Sequence, residues 1–251
     1  MTQQHYLPVD WLNPPENVQA VTTLRVGEPA ENMADSDYLS FNLADHVGDD
    51  LQQVTKNRAK LVADLQLPAE PVWMEQVHGN TVIQLDERSG KKPQADASIS
   101  RQKGVVCAVL TADCLPVFFC NAIGTEVAIA HAGWRGLHAG IISNTVRAMQ
   151  TAPGDIMVSL GPAIGPQSFE VGQEVYDAFS GKDMGNAAAF RKTARGSYLC
   201  DLYQLALNEL CALGVQEIAG GGYDTYTDET QFFSYRRHKN TGRMASLIWI
   251  D

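Results

Sequence analysis

The sequence predicts a single mixed α/β domain, taken here to span residues 1–251. The chain has 251 residues, of which 45% are hydrophobic, so it can bury a complete core and is not a disordered or fibrous protein. Short apolar segments bounded by Gly or polar residues are interspersed with segments of helical periodicity. These segments do not follow the strict strand–helix alternation of a doubly wound sheet, which favours a mixed arrangement.

The first half of the chain predicts one helix followed by five strands. Val54, Leu61, Val62 and Leu65 recur at helical spacing, and Asp50 is a suitable N-cap before them. The strands are short apolar runs that end at polar or turn residues, and the first two flank a turn at His78-Gly79-Asn80. They are Pro71–Val77, Thr81–Leu85, Val105–Leu110, Leu115–Cys120 and Glu126–Ala130.

The second half predicts three helices and two strands. Apolar residues at helical spacing indicate helices over His138–Met149, Gly172–Phe179 and Leu202–Leu213, the last ending at Gly214. Apolar runs indicate strands at Ile156–Leu160 and Ala245–Ile250.

Charge excludes one large class of partner. The chain has 19 Lys and Arg against 29 Asp and Glu, a formal net charge of -10. A nucleic-acid binder needs a basic face that displaces counterions from phosphates, and anionic lipid makes the same demand. We therefore expect neither nucleic acid nor membrane as a partner, and the sequence leaves the oligomeric state undetermined.

The N-terminus and the cysteines predict a cytoplasmic protein. Met1–Pro8 has neither a cationic start nor an apolar stretch of signal-peptide length, and the apolar runs elsewhere are too short to span a bilayer. Thiols stay mostly reduced in that compartment. We expect four of the five cysteines to be small buried core residues, namely Cys107, Cys120, Cys200 and Cys211.

Three residues at predicted strand–turn junctions are candidates for a metal site. His78, Cys114 and His131 offer two imidazoles and one thiolate, and catalytic zinc takes three such ligands with a fourth position open. Their separations of 36 and 17 residues match no short zinc-finger spacing. The alternatives are ordinary turn and core residues, or a nucleophilic Cys114 activated by His131.

Arginines near these candidates suggest an anion site. Arg135 follows His131 closely and either holds a phosphate or pairs with Asp113. Arg236, Arg237 and Arg243 form a second group, which lines an anion site or flanks a strand at the surface. Gly220–Gly222 lacks the spacing and the following Lys-Ser/Thr of a phosphate-binding loop.

The candidate metal ligands and the arginines lie in segments that resemble the YfiH family, also described as the laccase-domain or multicopper-polyphenol-oxidase-like family. The segments occur in the family's order from about residue 20 to the C-terminus. They are Ser40–Asp49 (SFNLADHVGD), Glu75–Gly79 (EQVHG), Thr111–Val117 (TADCLPV), His131–Gly136 (HAGWRG), Gly161–Pro166 (GPAIGP), Phe169–Gly172 (FEVG), Phe232–Arg237 (FFSYRR) and Thr241–Met244 (TGRM).

The resemblance implies a fold, a metal and a set of activities. The fold is a four-layer α/β/β/α sandwich, similar also to the catalytic domain of a deamidating bacterial toxin. The metal is zinc, with copper as the alternative, bound by His78, Cys114 and His131. The activities are phosphorolysis of adenosine, inosine and methylthioadenosine, with phosphate as co-substrate, and adenosine deamination.

Further roles are assigned on this basis. Arg135 joins the three metal ligands as a catalytic residue, because a guanidinium offers paired donors to phosphate oxygens. Glu75 and Asp113 are candidates for proton relay by sequence adjacency. Substrate contacts are assigned to four polar residues of the shared segments, namely Asn42, Gln76, Asp113 and Arg236.

Three other functions stay open at this point. The first is a cytosolic amidase or cysteine hydrolase that uses Cys114, for example in the editing of peptidoglycan precursors. The second is a copper-dependent polyphenol oxidase, which the six scattered histidines disfavour because a laccase needs ligands for several coppers. The third is a metal carrier without catalytic activity.

Overall fold

A computed structural model of the protein describes residues 5–25, 38, 41–85 and 92–251. Residues 1–4 and Ser40, on which parts of the sequence interpretation rest, lie outside these ranges. The described strands are β1 Tyr6–Pro8, β2 Val18–Thr23, β3 Val82–Gln84, β4 Ala97–Ser100, β5 Cys107–Thr111, β6 Leu115–Asn121, β7 Val127–Ala132, β8 Ile156–Leu160, β9 Glu170–Val171, β10 Phe190–Lys192, β11 Tyr198–Cys200, β12 Glu217–Gly220 and β13 Met244–Ile250. The described helices are α1 Leu51–Asp64, α2 Trp134–Ala139, α3 Ile141–Ala148, α4 Gln173–Lys182 and α5 Leu202–Ala212, with 3₁₀ turns at Pro153–Asp155 and Met184–Ala189.

Two large sheets form the centre of the fold. The four-stranded sheet has the order β1-β2-β13-β5, and its strands are antiparallel. The six-stranded sheet has the order β12-β8-β6-β7-β4-β3, with parallel pairs at its two edges. A small sheet of order β10-β11-β9 lies beside them.

The layers follow from the alternation of side chains along the strands. In β5, Cys107 and Val109 face the six-stranded sheet, whereas Ala108 and Leu110 face the cluster that contains Leu61 of α1. In β6, alternate residues pack either between the sheets or against the cluster of α2, α3 and α5. The order is thus helix, sheet, sheet, helices, which confirms the predicted four-layer α/β/β/α sandwich.

Most predicted elements are present, with small shifts at their ends. Helix α1 begins after Asp50, whose carboxylate accepts a hydrogen bond from the Gln52 amide as predicted for an N-cap. The strand Ile156–Leu160 has the predicted bounds. Helix α5 is followed by Gly214 in the left-handed region.

One predicted strand is absent and one predicted helix is interrupted. Pro71–Val77 is not a regular strand, because Val72 bridges to Cys107 of one sheet and Glu75 bridges to Gln94 near the other. The helix predicted over His138–Met149 is two helices, α2 and α3, which meet at Gly140 with φ 88°. A left-handed residue ends one helix and turns the chain before the next.

The cysteine prediction holds for three thiols and fails for one. Cys107, Cys120 and Cys200 are buried, and burial raises the pKa of each of them to about 12. Cys211 on α5 is exposed instead. Among the described residues, no helix combines the length and apolar character needed to cross a bilayer.

Candidate metal centre

The register of the β6–β7 hairpin brings Cys114 and His131 together. In this antiparallel pair Leu115 lies opposite Ala132 and Pro116 lies opposite His131, so the residue before β6 is close to the end of β7. Cys114 occupies the turn between β5 and β6, and His131 is the penultimate residue of β7.

His78 approaches the same point from a separate turn. It has φ 60°, in the left-handed region that few residues with a side chain adopt. Its ring lies 4.7 Å from the ring of His131, centroid to centroid, in an edge-on arrangement. His78 is exposed, Cys114 is partly exposed, and His131 is buried, so the cluster opens to solvent on the His78 side.

The three side chains fit one metal ion. Their ligand atoms all lie within 4.8 Å of one another. Cys114 Sγ and His78 Nε2 are 3.9 Å apart, which is less than the sum of about 4.4 Å of typical zinc–sulfur and zinc–nitrogen bonds. One ion can therefore reach both atoms. Three ligands with an open side are typical of a catalytic rather than a structural site.

Sequence reasoning missed Asp96, which contacts both histidines. Asp96 is fully buried just before β4. Its carboxylate accepts hydrogen bonds from His131 Nδ1 at 2.9 Å and from the backbone amide of His78 at 2.9 Å. The signal was weak, because β4 itself was not predicted and a single acid before Ala-Ser-Ile-Ser has no recognisable motif.

The close contacts within the cluster shift the pKa values of Cys114, His131 and Asp96. Removal from water opposes ionisation of Cys114, but the charge of His131 and hydrogen bonds from His131 and His78 lower the pKa of the thiol to about 6. Burial disfavours charged His131, yet Cys114 and the hydrogen bond to Asp96 raise the pKa of His131 to about 9. Burial also opposes ionisation of Asp96, and the hydrogen bonds from His131 and Gly79 hold its pKa below the usual value. Both shifts favour a thiolate on Cys114 beside a protonated His131 in the metal-free cluster, and a thiolate is the form that binds metal.

Two glycines of the HAGWRG segment allow this close approach. A Cβ atom on Gly133 would lie 2.7 Å from Cys114 Sγ. A Cβ atom on Gly136 would lie 3.1 Å from the carbonyl oxygen of Gly79, in the turn that carries His78. The absence of side chains at these positions therefore lets α2 pack directly over the ligands.

The cluster opens into a pocket of about 250 Å³ whose wall carries cations. Arg135 stacks on Trp134, with its guanidinium carbon 4.4 Å from the ring centroid. Arg236 lies 5.1 Å from the centroid of Phe169, and its Nη1 donates to the Glu170 carbonyl oxygen. Lys239 Nζ lies 4.4 Å from the ring centroid of Tyr235. Cations stacked on aromatic rings are held in place without neutralising their charge.

The predicted site residues divide into two groups. His78, Asp113, Cys114, Arg135 and Arg236 all line this pocket. His131 lies behind it in the cluster. Among the described residues no ion pair joins Arg135 to Asp113, since the Asp113 carboxylate accepts instead from Thr225 Oγ1 and from the Arg236 amide.

Asn42, Gln76 and Glu75 lie outside the pocket lining. Asn42 is fully buried, and its Oδ1 accepts from the amides of Ala44 and Arg243. The Gln76 amide pairs with both the N–H and the carbonyl oxygen of Leu110. Gln76 thus connects its loop to β5 of the four-stranded sheet, and Asn42 connects its loop to the residue before β13.

A larger pocket, of about 590 Å³, lies beside Gly220–Gly222. Its polar side chains are already bonded: Tyr203 donates to the Gly161 carbonyl oxygen, and Asp224 accepts from the Gly165 amide and from Ser168. The smaller pocket adjoins the cluster of potential metal ligands, so it is the candidate functional site.

Comparisons with known proteins identify the family of the chain. Residues 19–251 match the family described as multi-copper polyphenol oxidoreductase laccase. The chain is 50% identical over 236 residues to the purine nucleoside phosphorylase YfiH of Escherichia coli, covering 94% of this chain and 95% of that protein. It is 46% identical over 241 residues to a purine nucleoside phosphorylase of Haemophilus influenzae, covering 95% and 97%.

This chain belongs to the YfiH family. Solved structures show the same fold: a Neisseria meningitidis protein superposes with a TM-score of 0.93 at 44% identity, covering 99% of this chain and 100% of that chain. YlmD from Geobacillus stearothermophilus gives 0.88 at 32% identity, covering 99% and 98%. The predicted family and the mixed α/β single-domain fold are thereby confirmed, and the laccase-like family implies metal binding.

Proposed function

We propose that this protein is a zinc-dependent purine nucleoside phosphorylase that acts on adenosine, inosine and methylthioadenosine, and that it also deaminates adenosine. The observation that carries the proposal is the group of two histidines and one cysteine that opens into a pocket lined by cations. The names of the similar proteins from Escherichia coli and Haemophilus influenzae support the phosphorolytic reaction.

Zinc is the metal we assign to His78, Cys114 and His131. Mixed His and Cys ligands with one open position are typical of catalytic zinc, which polarises bound groups as a Lewis acid. Copper binds such ligands more tightly than zinc, so copper found in purified protein would not by itself identify the native metal. Metal content must therefore be compared with activity.

The pocket cations are assigned to the phosphate co-substrate. Arg135 and Arg236 both line the pocket, and a guanidinium binds phosphate oxygens through paired donors. Phosphorolysis requires this anion close to C1′ of the ribose, within reach of the glycosidic bond that breaks. Because the whole chain carries a charge of -10, the local cations are what make a phosphate site possible here.

Phosphorolysis gives a direct test with a matched cysteine control. Zinc-loaded protein with adenosine and phosphate should yield adenine and ribose 1-phosphate, and Cys114→Ala should abolish the reaction. Cys211→Ala changes an exposed thiol outside the pocket and should retain full activity. No product above the Cys114→Ala level in wild-type protein would contradict the proposal.

The two purine reactions are separable by their co-substrates. In phosphate-free buffer, adenosine should still be converted to inosine, whereas adenine should appear only when phosphate is added. Arg135→Gln should raise the KM for phosphate and leave deamination within a few-fold of wild type. Loss of both reactions together in Arg135→Gln would contradict its assignment to phosphate.

A cysteine hydrolase is the second candidate, favoured by the ionised pair of Cys114 and His131. Asp96 beside His131 completes an arrangement like that of cysteine hydrolases, in which a carboxylate orients the base. That function requires activity without metal. Trapping of Cys114 by an electrophile in metal-free, active enzyme would support it, and inactivity of the chelated enzyme on amide substrates would exclude it.

We also propose that the protein acts in the cytoplasm on small molecules. All five cysteines are free thiols, which is typical of a reducing compartment. The acidic charge argues against nucleic acid as a partner.

A further inference from the structure

We propose that Asp96 is a positioning residue that orients both histidine ligands of the metal centre at once. The inference rests on the metal centre of the proposed function, but not on the identity of the substrate. Asp96 makes no contact with the pocket and is fully buried, so it acts through the residues it holds.

Four N–H groups converge on the two carboxylate oxygens of Asp96. Oδ1 accepts from His131 Nδ1 at 2.9 Å and from the His78 amide at 2.9 Å. Oδ2 accepts from the Val77 amide at 3.2 Å and from the Gly79 amide at 2.7 Å. One buried side chain thus connects strand β7 to the turn that carries His78.

For His131, the contact selects the nitrogen that binds metal. The Nδ1 atom donates to Asp96, so Nε2 on the other side of the ring is left for the metal. Metal-binding histidines commonly donate their second N–H to a carboxylate, which fixes the ring orientation and the tautomer.

For His78, the contact stabilises an unfavourable backbone. His78 has φ 60°, in the left-handed region that is unfavourable for residues with a side chain. Three consecutive amides, those of Val77, His78 and Gly79, point at the same carboxylate. Such a concave arrangement of amides favours an anion at its centre, and it holds the His78 side chain near Cys114.

The proposed role of Asp96 requires both carboxylate oxygens, so asparagine is the informative substitution. Asp96→Asn keeps the size of the side chain but leaves one oxygen for four donors. The NH₂ group must then face either the pair formed by His131 Nδ1 and the His78 amide, or the other two amides. In the first orientation His131 and the His78 amide lose their acceptor. In the second, the turn that carries His78 loses the hydrogen bonds of the Val77 and Gly79 amides.

Glu126, next to strand β7, provides a matched control. It is 2% exposed and lies just before β7, at the opposite end from His131. Its carboxylate accepts from the amides of Gln150 and Thr151, from Thr151 Oγ1 and from Arg101. Glu126→Gln therefore also removes an oxygen from a buried, multiply bonded carboxylate, but away from the metal ligands.

The experiment measures zinc affinity of metal-free proteins by competition with a chromophoric chelator, without substrate. We expect Asp96→Asn to bind zinc about 10- to 100-fold more weakly than wild type, and Glu126→Gln to bind within twofold of wild type. Urea unfolding of both variants measures the structural cost separately. Zinc affinity of Asp96→Asn within twofold of wild type, or an equal loss in both variants, would overturn the proposal.

A second measurement uses the wild-type protein and does not depend on the variant folding. In the zinc-loaded protein labelled with ¹⁵N-histidine, His131 should show a proton on Nδ1 that exchanges slowly with solvent and a metal-bound Nε2. A metal-bound Nδ1 would overturn the proposal. If zinc binds as expected but no purine nucleoside is converted, the proposed function fails while the role of Asp96 stands.

Discussion

The substitution Gly133→Ala tests whether the metal ligands need a residue without a side chain at the start of α2. The Gly133 backbone, with φ -67° and ψ 164°, is allowed for alanine, and Gly→Ala at a compatible site stabilises by about 0.4–1 kcal/mol. The added Cβ of Gly133→Ala would however lie 2.7 Å from Cys114 Sγ and 3.4 Å from His78 Cδ2. The first contact is roughly 1 Å shorter than an optimal one. Overpacking of this kind costs about 1–3 kcal/mol, so the clash outweighs the gain.

We expect Gly133→Ala to relieve the clash in one of two ways, both of which weaken zinc binding. If the Cys114 side chain keeps its rotamer, the added methyl group instead pushes apart the segments that carry Cys114 and His78, and the free energy of unfolding of the metal-free protein falls by roughly 1.3 kcal/mol, the difference between the midpoints of the two ranges. If the thiol rotates away instead, stability is kept but a ligand is lost. Zinc affinity should fall at least tenfold in either case, measured by chelator competition beside urea unfolding.

Gly181→Ala is the control for this prediction. Gly181 lies in α4, and a Cβ there would meet no atom within 4 Å. The control should gain about 0.5–1 kcal/mol, as expected for alanine in a helix, with unchanged zinc affinity. Unchanged zinc affinity in Gly133→Ala as well would refute the reasoning that the ligand geometry depends on a bare backbone at this position.

Cys114, Gly140 and Phe118 each allow a further test. Alkylation of Cys114 in metal-free protein should rise with pH and reach half its maximum near pH 6, because the lowered pKa makes the thiolate prevail above that value; a midpoint near pH 9 by mass spectrometry would contradict the ion pair. Gly140→Ala should lower the free energy of unfolding by about 1–2 kcal/mol in urea, because φ is 88° at this helix junction. Phe118→Ala should cost about 3–5 kcal/mol by the same assay, because the ring is fully buried between the two sheets; a loss below 1 kcal/mol would show that the site collapses.

The sequence predicted elements whose signals are local. Helix α1 combines helical periodicity with an N-cap, and strands such as Ile156–Leu160 are short apolar runs between polar ends. Strand β4 was missed because Ala97–Ser100 has few β-forming side chains, although all four residues are buried. Its place in the sheet comes from pairing with β3 and β7, which a single segment does not reveal.

The site residues, too, were predicted only where the local sequence marks them. His78, Cys114 and His131 were found because residue type and family segments mark them, and the β6–β7 register brings two of them together. Asp96 escaped because its role depends on contacts across 35 residues of chain, with no motif of its own. Asn42 and Gln76 lie in shared segments yet bond to backbone groups away from the pocket, so their assignment to substrate stays a prediction.

The donor set favours one metal ion over a multicopper centre, although the family description refers to several coppers. All six histidines of the chain lie within the described residues, and only His78 and His131 belong to a cluster of three potential ligands there. His138 packs on Phe179, and His46 pairs with the adjacent Asp45 at the surface. An oxidase that passes electrons among several coppers requires several such clusters, whereas phosphorolysis and deamination transfer no electrons and are compatible with a single metal ion. The histidine positions therefore disfavour the oxidase, and the cations of the pocket fit the phosphate of the proposed phosphorolysis.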